Sequence, residues 1–342
     1  MKIIITGGAG FLGVRLARTL LAMGSLSVNG QAAVPITRIT LADRLAPPDD
    51  LAADPRIEVA LGDLNVQLSD APDLIAARAD TAVVYHLAAA VSGECEADFD
   101  LGMRSNFAAT HRLLETCRAV KSQPIVVFAS SLAVFGQTAL LPLPGVVNDN
   151  TLPTPQSSYG IQKFIGEQMV ADYGRKGFVR ARNVRLMTVS VRPGKANGAA
   201  SSFFSGMVRE PLAGAACVVP VPASTAVALS SPGRTVDGLI RAAQASSKDW
   251  GPLTAMNLPA MTTDVGAMAD ALRSIAGEAV FSMLGWQVDP KIESIVASWP
   301  TCIASSRANA LGLYADTSFE DIVRTYISEN PDAVRHALHL GA

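Results

Sequence analysis

Short apolar runs alternate with longer amphipathic stretches through the first half of the chain. Runs rich in apolar and β-branched residues predict strands over residues 2–6, 38–42, 56–60, 82–86, 124–129 and 181–189. Apolar residues at three- and four-residue intervals predict helices over residues 11–23, 96–119 and 158–176. The nearly continuous apolar run at 125–128 is typical of a strand that is buried on both faces. We therefore predict an α/β fold with a doubly wound parallel sheet.

The pattern loosens after about residue 190, where Gly, Ser, Ala and Pro become frequent. Helical spacing returns over residues 234–246, 263–275, 290–296 and 319–329. Loops of this composition often carry ligand contacts. We expect a first domain over residues 1–190, rejoined by about 225–260, and a smaller, mixed α/β substrate lobe built from residues 191–224 and 261–342.

Composition and charge exclude several classes of protein. Hydrophobic residues make up 49% of the 342 residues and charged residues 17%, which excludes a disordered or fibrous chain. Lys and Arg number 28 against 30 Asp and Glu, so the formal net charge is -2. Nucleic-acid binding needs a basic surface that neutralises phosphates. We therefore expect no nucleic-acid partner and a small molecule as ligand.

Membrane insertion and metal binding are not expected either. The longest uncharged stretch, residues 122–148, is interrupted by Pro and Gly, so it does not predict a membrane span. The chain starts with a strand-like run and shows no apolar signal region, which predicts a cytoplasmic location. The cysteines are scattered without a Cys-x-x-Cys pattern, and we expect buried, reduced thiols and no metal at Cys95, Cys117, Cys217 and Cys302.

A glycine-rich segment follows the first predicted strand and opens the first predicted helix. It reads Thr6-Gly7-Gly8-Ala9-Gly10-Phe11-Leu12-Gly13. Gly7 permits a tight turn, Gly10 lets backbone N–H groups approach a pyrophosphate, and Gly13 lets the helix pack on the strand. The positive end of the helix faces the phosphate charge. This order of strand, loop and helix predicts a Rossmann-type dinucleotide site that also contacts Phe11 and Leu12.

An acidic residue at the end of the second strand indicates which dinucleotide is bound. Asp43 stands there, and a carboxylate at this point accepts hydrogen bonds from the adenosine ribose. It comes later than the usual spacing of about 20 residues, and the surplus falls in a polar insertion at 24–35. Because a carboxylate repels a 2′-phosphate, Asp43 favours NAD over NADP, whereas the neighbouring cation of Arg44 favours the opposite choice.

Two further segments complete the predicted cofactor site. Asp63, followed by Leu64, comes just after the third strand, where its carboxylate can meet the adenine amino group; a simple turn aspartate is the alternative. The fourth strand ends in His86-Leu87-Ala88-Ala89, and we expect the cofactor to lie against Leu87, Ala88 and Ala89. His86 itself lies in an apolar strand and is expected to be a core histidine.

These motifs together resemble the extended short-chain dehydrogenase/reductase superfamily, in its NAD-dependent epimerase/dehydratase branch. The family's Thr-Gly-x-x-Gly-x-x-Gly matches residues 6–13, its Asp-Leu matches 63–64 and its His-x-Ala-Ala matches 86–89. Its Ser-Ser-x-x-Val-Tyr-Gly matches 130–136, with Phe135 in place of Tyr, and its Tyr-x-x-x-Lys matches 159–163. The resemblance covers about the first 195 residues and implies an NAD-dependent enzyme. It also implies that Asn106 is a structural asparagine that bridges backbone groups.

Three side chains are the candidates for catalysis. Tyr159 and Lys163 lie four residues apart on a predicted helix and so share one face. The Lys163 ammonium favours the Tyr159 phenolate, and lowering the pKa of a tyrosine from about 10 to about 7 takes about 4 kcal/mol. Tyr159 is then the general base for oxidation of an alcohol, and Ser131 hydrogen-bonds the reacting oxygen. Ser130 is expected to orient its neighbour.

The later half departs from the pattern of nucleotide-sugar enzymes. Epimerases of this family carry an Arg-Asp-aromatic stretch that leads into His-Val-x-Asp, whereas residues 230–237 lack both the aromatic residue and the histidine. Dehydratases usually carry an Asp-Glu pair after the serine, where this chain has Leu132 and Ala133. The segments 191–195, 201–204 and 310–312 are instead similar to dehydrogenases that oxidise a four-carbon sugar acid, D-erythronate, at C2.

A small hydroxy acid needs a cation for its carboxylate and partners for its hydroxyl groups. We expect the substrate to contact Tyr159 and Ser131 at the reacting oxygen, and elsewhere Ser92, Arg192, Lys195 and Asn197. The alternatives are that Arg192 pairs with a local acidic residue, that Lys195 is solvated, and that Ser92 is an ordinary polar loop residue.

The sequence thus predicts an NAD-dependent dehydrogenase of a small sugar acid. A nucleotide-sugar epimerase or dehydratase is the second hypothesis, and a dinucleotide sensor without activity is the third. Binding alone does not need a general base, so the intact Tyr159 and Lys163 speak against a sensor. Members of the superfamily commonly dimerise through the helices predicted here over 96–119 and 158–176, which makes a homodimer an expectation.

Overall fold

The computed structural model describes residues 1–70, 80–194 and 198–335. The strands of this part are, in chain order, β1 (Lys2–Thr6), β2 (Ser25–Leu26), β3 (Val34–Pro35), β4 (Arg38–Asp43), β5 (Ile57–Leu61), β6 (Thr81–His86), β7 (Ile125–Ser131), β8 (Arg180–Leu186), β9 (Thr188–Val189), β10 (Cys217–Val219), β11 (Ala226–Ser230), β12 (Met256–Asn257), β13 (Met261–Asp264) and β14 (Leu284–Trp286). The α-helices are α1 (Phe11–Met23), α2 (Asp49–Ala52), α3 (Leu64–Asp70), α4 (Ser92–Ala97), α5 (Phe99–Gly102), α6 (Ala109–Val120), α7 (Ser158–Arg175), α8 (Phe203–Leu212), α9 (Pro232–Gln244), α10 (Ser247–Trp250), α11 (Val265–Ala276), α12 (Glu278–Phe281), α13 (Pro290–Ala297), α14 (Ser306–Ala310) and α15 (Phe319–Glu329).

Seven strands form the central sheet, in the order β12-β8-β7-β6-β1-β4-β5. Every neighbouring pair in it is parallel. Side chains alternate between the two faces, so Ile3 and Ile5 of β1 join one buried cluster and Ile4 joins another. β4 and β6 lie on opposite sides of β1, so the strand order reverses at β1. In sheets of this kind, ligands bind beyond the carboxyl ends of the strands at such a reversal. The predicted doubly wound α/β fold is confirmed.

A second group of elements packs around its own apolar core. The strands β13-β11-β9 form a three-stranded sheet, and β10 pairs with β14. Side chains from these strands and from the later helices form one buried cluster that includes Phe204, Leu229 and Leu272. The central sheet takes its edge strand β12 from within the stretch 225–260. The domain boundaries proposed from the sequence stay a prediction.

The prediction of a single helix over residues 96–119 is wrong. Asp98 has an extended backbone (φ -138°, ψ 96°), which ends α4, and its carboxylate accepts the Leu101 N–H to begin α5. A π-helical stretch, Met103–Ala108, then precedes α6. The side chain of Asn106 in that stretch bridges the backbone at Ala90, accepting from its N–H at 2.8 Å and donating to its carbonyl at 3.2 Å. The bridging role implied for Asn106 is confirmed.

The prediction of a single strand over residues 181–189 is also wrong, because the segment forms two strands. β8 pairs with β7 of the central sheet, whereas β9 pairs with β11 of the second sheet. The chain therefore passes from one sheet to the other at Met187, which is buried in the second core. The helix predicted over 263–275 begins later than expected, at Val265, because β13 occupies 261–264.

The cysteines only partly match the expectation of buried thiols. Cys95 and Cys117 are buried and Cys217 is half-buried, but Cys302 is exposed. The structure shows all four as free cysteines. The expectation is therefore wrong for Cys302, which lies in an irregular segment that contacts the chain at Val147.

Candidate active site

A cavity of about 400 Å³ opens at the carboxyl ends of β1 and β6. The residues predicted to contact the cofactor all line it, namely Gly7, Gly10, Phe11, Leu12, Gly13, Asp43, Asp63, Leu64, Leu87, Ala88, Ala89, Tyr159 and Lys163. The predicted substrate contacts Ser92, Ser131 and Arg192 line the same cavity. Lys195 and Asn197 lie outside the described residues. The roles of all these residues remain predictions that geometry can support.

The glycine loop packs against neighbouring backbone more closely than side chains would allow. Gly7 has a φ of +72°, and a Cβ on it would lie 2.8 Å from the Ala88 nitrogen. A Cβ on Gly13 would lie 2.2 Å from the Gly7 carbonyl oxygen, so only glycine lets α1 approach the loop this closely. Gly10 is the N-cap of α1, and as a glycine it offers no side chain to the first N–H groups of that helix. The loop therefore fits the pyrophosphate of a dinucleotide.

Backbone hydrogen bonds hold the Asp43 carboxylate at the end of β4. Its Oδ2 accepts from the Ala9 N–H at 3.0 Å, and its Oδ1 accepts from the Leu45 N–H at 3.1 Å. Arg44 is exposed and lines the same cavity. Asp63 accepts from the Asn65 N–H at 2.9 Å. Both carboxylates retain lone pairs for ligand hydroxyl or amino groups.

Helix α7 lies directly against the end of β7. The Ser157 side chain caps the helix by accepting from the Gly160 N–H at 3.1 Å. A Cβ on Gly160 would lie 2.1 Å from the Ala133 carbonyl oxygen, so the approach requires glycine at this position. Ser131, the last residue of β7, accepts from the Ala133 N–H at 3.1 Å. This packing brings Tyr159 and Ser131 to one wall of the cavity.

Burial controls the proton affinities of Tyr159 and Lys163. Burial raises the pKa of Tyr159 to about 12, although its hydrogen bond with Ser131 acts in the opposite direction. Burial lowers the pKa of Lys163 to about 8. The Lys163 ammonium donates to the Ala129 carbonyl at 2.8 Å and lies 5.7 Å from the centre of the Tyr159 ring. The expected fall of the Tyr159 pKa towards 7 is therefore not found in the protein alone.

A buried ion pair that the sequence analysis missed lies behind Lys163. Arg185 donates to Glu167 from Nε at 2.8 Å and from Nη2 at 2.7 Å, and the two side chains are 4% and 1% exposed. Ser130 donates from Oγ to Glu167 Oε1 at 2.5 Å. The one available signal was the spacing of Glu167, which is four residues after Lys163 on the same helical face.

Arg192 brings a cation to the substrate side of the cavity. Its Nε donates to the Val189 carbonyl at 3.1 Å, and its Nη2 donates to Ser201 Oγ at 2.8 Å. The guanidinium lies 5.8 Å from the centre of the Phe11 ring. Among the described residues no carboxylate forms an ion pair with Arg192. Burial lowers its pKa to about 10, which leaves it charged at neutral pH.

Two other side chains shape the substrate side. Ser92 is buried, and its Oγ accepts from the Ala200 N–H at 3.1 Å, so it holds the segment after residue 198 against α4. Trp299, which the sequence analysis did not single out, also lines the cavity. No sequence motif marks Trp299, because it reaches the site from a segment far along the chain.

His86 is a core residue, as expected. It is buried, and its ring nitrogens hydrogen-bond Thr6 at 2.6 Å and Thr110 at 2.9 Å. Burial lowers its pKa to about 3, so it is neutral at physiological pH. Within the described ranges there is no group of three His, Cys, Asp or Glu side chains placed to hold a metal ion. In the same part of the chain, no helix is long and apolar enough to span a membrane.

The chain matches known proteins over nearly its whole length. Residues 3–226 match the NAD dependent epimerase/dehydratase family. The chain is 47% identical to the D-erythronate dehydrogenase of Cupriavidus necator, over 96% of this chain and 98% of that protein. It is 39% identical to the D-erythronate dehydrogenase of Haemophilus influenzae, over 96% of this chain and 99% of that protein.

A solved structure is also similar. The nucleoside-diphosphate-sugar epimerase of Agrobacterium tumefaciens shares 36% identity and superposes with a TM-score of 0.86, over 97% of this chain and 95% of that one. The matches confirm the predicted resemblance and the prediction of an enzyme of the dehydrogenase class. The chain belongs to the NAD-dependent epimerase/dehydratase family.

Proposed function

We propose that this enzyme uses NAD to oxidise the C2 hydroxyl of a small sugar acid, D-erythronate or a close aldonate, to the 2-oxo acid. The observation that carries the proposal is Arg192, a half-buried cation on the wall of the cavity that has no carboxylate partner among the described residues. A sugar acid supplies such a carboxylate. The name carried by the two curated relatives supports the same substrate class.

NAD fits the glycine loop and the Asp43 carboxylate. The loop at Gly7 and Gly10 and the N-terminus of α1 would hold the pyrophosphate. Asp43 would accept from the adenosine ribose hydroxyls and repel a 2′-phosphate, and Asp63 would accept from the adenine amino group. Lys163 would donate to the nicotinamide ribose. When bound, NAD supplies the acceptor for the hydride that leaves C2 of the substrate.

The protein's own residues carry the proton chemistry. Tyr159 accepts the proton of the C2 hydroxyl as the hydride leaves, so the carbon gains a carbonyl and the phenol regains its hydrogen. Ser131 donates a hydrogen bond to the same substrate oxygen. The ammonium of Lys163 stabilises the phenolate form of Tyr159 that the reaction requires. Arg192 holds the carboxylate and so presents C2 to Tyr159.

A variant of Arg192 tests the carboxylate contact. A charge-assisted hydrogen bond contributes about 1.5–3 kcal/mol, so Arg192→Met should raise the KM for D-erythronate by about 10- to 150-fold. The KM for NAD should change little, since Arg192 is proposed to contact the acid. The matched control is Arg175→Met, because Arg175 is 64% exposed and outside the cavity. An unchanged KM for the acid in Arg192→Met would contradict the proposal.

A nucleotide-sugar epimerase is the second candidate, and the similarity to the A. tumefaciens epimerase favours it. An epimerase returns the hydride to its substrate and keeps the cofactor, whereas a dehydrogenase releases NADH. Two apolar residues, Leu132 and Ala133, occupy the cavity wall just after Ser131, where dehydratases of this family usually carry acidic residues. This wall speaks against a dehydratase, and release of NADH is what separates the epimerase from the dehydrogenase.

A further inference from the structure

An apolar wall closes the cavity beyond the catalytic serine. Leu132, Ala133, Met187 and Trp299 line the cavity and belong to the same buried cluster of the second core. Trp299 is the largest of the four and is only 9% exposed. Arg192 lines the same cavity, so this space is bounded both by a cation and by an apolar wall.

The segment that carries Trp299 is fixed to the chain just after Ser131. Gln137 donates from its backbone N–H to the Ser298 carbonyl and from Nε2 to the Ala297 carbonyl, each at 3.1 Å. Farther along, Val147 donates to the Cys302 carbonyl at 3.0 Å and accepts from the Ala304 N–H at 2.8 Å. These bonds flank Trp299 on both sides. They set the position of the indole relative to the reacting end of the cavity.

The indole N–H of Trp299 is available to a ligand. It has no hydrogen-bond partner among the described residues, and its nitrogen is not completely buried. Trp299 lines the cavity, so a ligand bound there can accept this N–H in place of water. A hydroxyl group of a sugar acid is an acceptor of this kind.

We propose that Trp299 sets the chain length of the sugar acid that the enzyme accepts. Its ring is the end wall of the substrate site, and its N–H donates to the hydroxyl farthest from the carboxylate. The inference rests on the proposed function, since it takes Arg192 as the ligand of the carboxylate. With one end held by charge, a fixed wall at the other end rejects an acid with further carbons. A single methylene changes specificity by about 10- to 200-fold in such a site.

The test compares aldonates of four, five and six carbons as substrates. For Trp299→Ala we expect the ratio of kcat/KM for the six-carbon acid to that for the four-carbon acid to rise at least about tenfold. For Trp299→Phe, which keeps a ring and removes the N–H, we expect this ratio to stay nearly constant while the KM for the four-carbon acid rises about three- to tenfold. The ratio does not depend on the active fraction of a variant, so partial unfolding does not imitate the effect.

Trp286 supplies the matched control, since it is 41% exposed in β14 and does not line the cavity. Trp286→Ala and Trp286→Phe should leave the ratio as in the unsubstituted enzyme. If Trp299→Ala does not fold, Trp299→Leu tests the wall with less loss of core volume, and the same rise in the ratio is expected.

The outcomes separate the two proposals. An unsubstituted enzyme that oxidises the four-carbon acid, together with Trp299 variants whose ratio is unchanged, overturns the role of Trp299 and leaves the proposed function intact. An unsubstituted enzyme that oxidises no aldonate overturns both. A raised ratio in Trp299→Ala and not in the Trp286 variants supports the length limit.

Discussion

The proposed chemistry depends on Tyr159. It is held between Ser131 and the face of α7 that carries Lys163, at the wall of the cavity. Burial of the phenol raises its pKa, and the phenolate is the form that accepts the substrate proton. The oxidation should therefore speed up as the pH rises, because a larger fraction of Tyr159 is deprotonated.

Removal of the Tyr159 hydroxyl group tests this role. Tyr159→Phe should lower kcat for oxidation by about 10²- to 10⁴-fold, because the ring stays and only the proton acceptor is lost. The dissociation constant for NAD should change little. In the unsubstituted enzyme, kcat/KM should rise with pH up to about pH 8, because Tyr159 is a base with a raised pKa and Lys163, whose pKa is about 8, still carries its proton there. The residual rate of Tyr159→Phe should lose this rise. A variant with undiminished turnover would remove Tyr159 from the mechanism.

At the scale of the secondary-structure element, a buried ion pair joins helix α7 to strand β8. The buried pair of Glu167 and Arg185 links the helix that carries Tyr159 to the sheet, and Ser130 adds a hydrogen bond from β7. Because the three elements meet at this pair, it keeps the end of β7 in position against the helix. The same pair is costly to break, since either charge would be left buried alone.

Removing one charge of the pair should therefore destabilise the fold strongly. We expect Arg185→Met to lower the free energy of unfolding by about 3–5 kcal/mol, measured by urea denaturation. The double variant Glu167→Leu with Arg185→Met should lose less than the single variant, because no isolated charge remains. The exposed pair of Arg175 and Asp172 is the control, and Arg175→Met should cost less than about 1 kcal/mol. Equal losses for the two arginines would contradict the importance of the buried pair.

Local patterns of the sequence predicted those elements whose formation depends on local spacing. The glycine loop at 6–13, the strands of the first half and the helix of Tyr159 follow from local turn chemistry and apolar periodicity. The break of the helix at Asp98 depends on one capping side chain, and the division of the strand at Met187 depends on pairing with β11. Both are decided by contacts that apolar spacing does not report.

The site residues divide in the same way, into those that stand in local sequence motifs and those that depend on contacts between distant parts of the chain. Gly7, Asp43, Tyr159 and Lys163 stand in motifs whose spacing along the chain fixes their geometry. Trp299 reaches the cavity through packing of the second core, so no local pattern indicates it. The sequence also gave no sign of how strongly burial acts on the pKa of Tyr159, because burial is a property of the folded chain.

At the scale of the whole molecule, the cavity joins two kinds of surface. The carboxyl ends of the central sheet supply the loop and carboxylates that fit NAD, and the second core supplies the apolar wall beyond Ser131. Arg192 follows β9, where the chain has just crossed from the first sheet to the second. In the proposed function, a short acid bound by Arg192 would therefore lie between the cofactor side and the second core.

The most direct test of this account is the amount of NADH released per molecule of acid. The purified enzyme is incubated with D-erythronate and an excess of NAD, and NADH is followed by its absorbance while the remaining acid is measured. We predict one NADH for each acid consumed, over many turnovers, and little reaction when NADP replaces NAD. Conversion of a nucleotide sugar without net NADH, together with no oxidation of D-erythronate or another aldonate, would contradict the account.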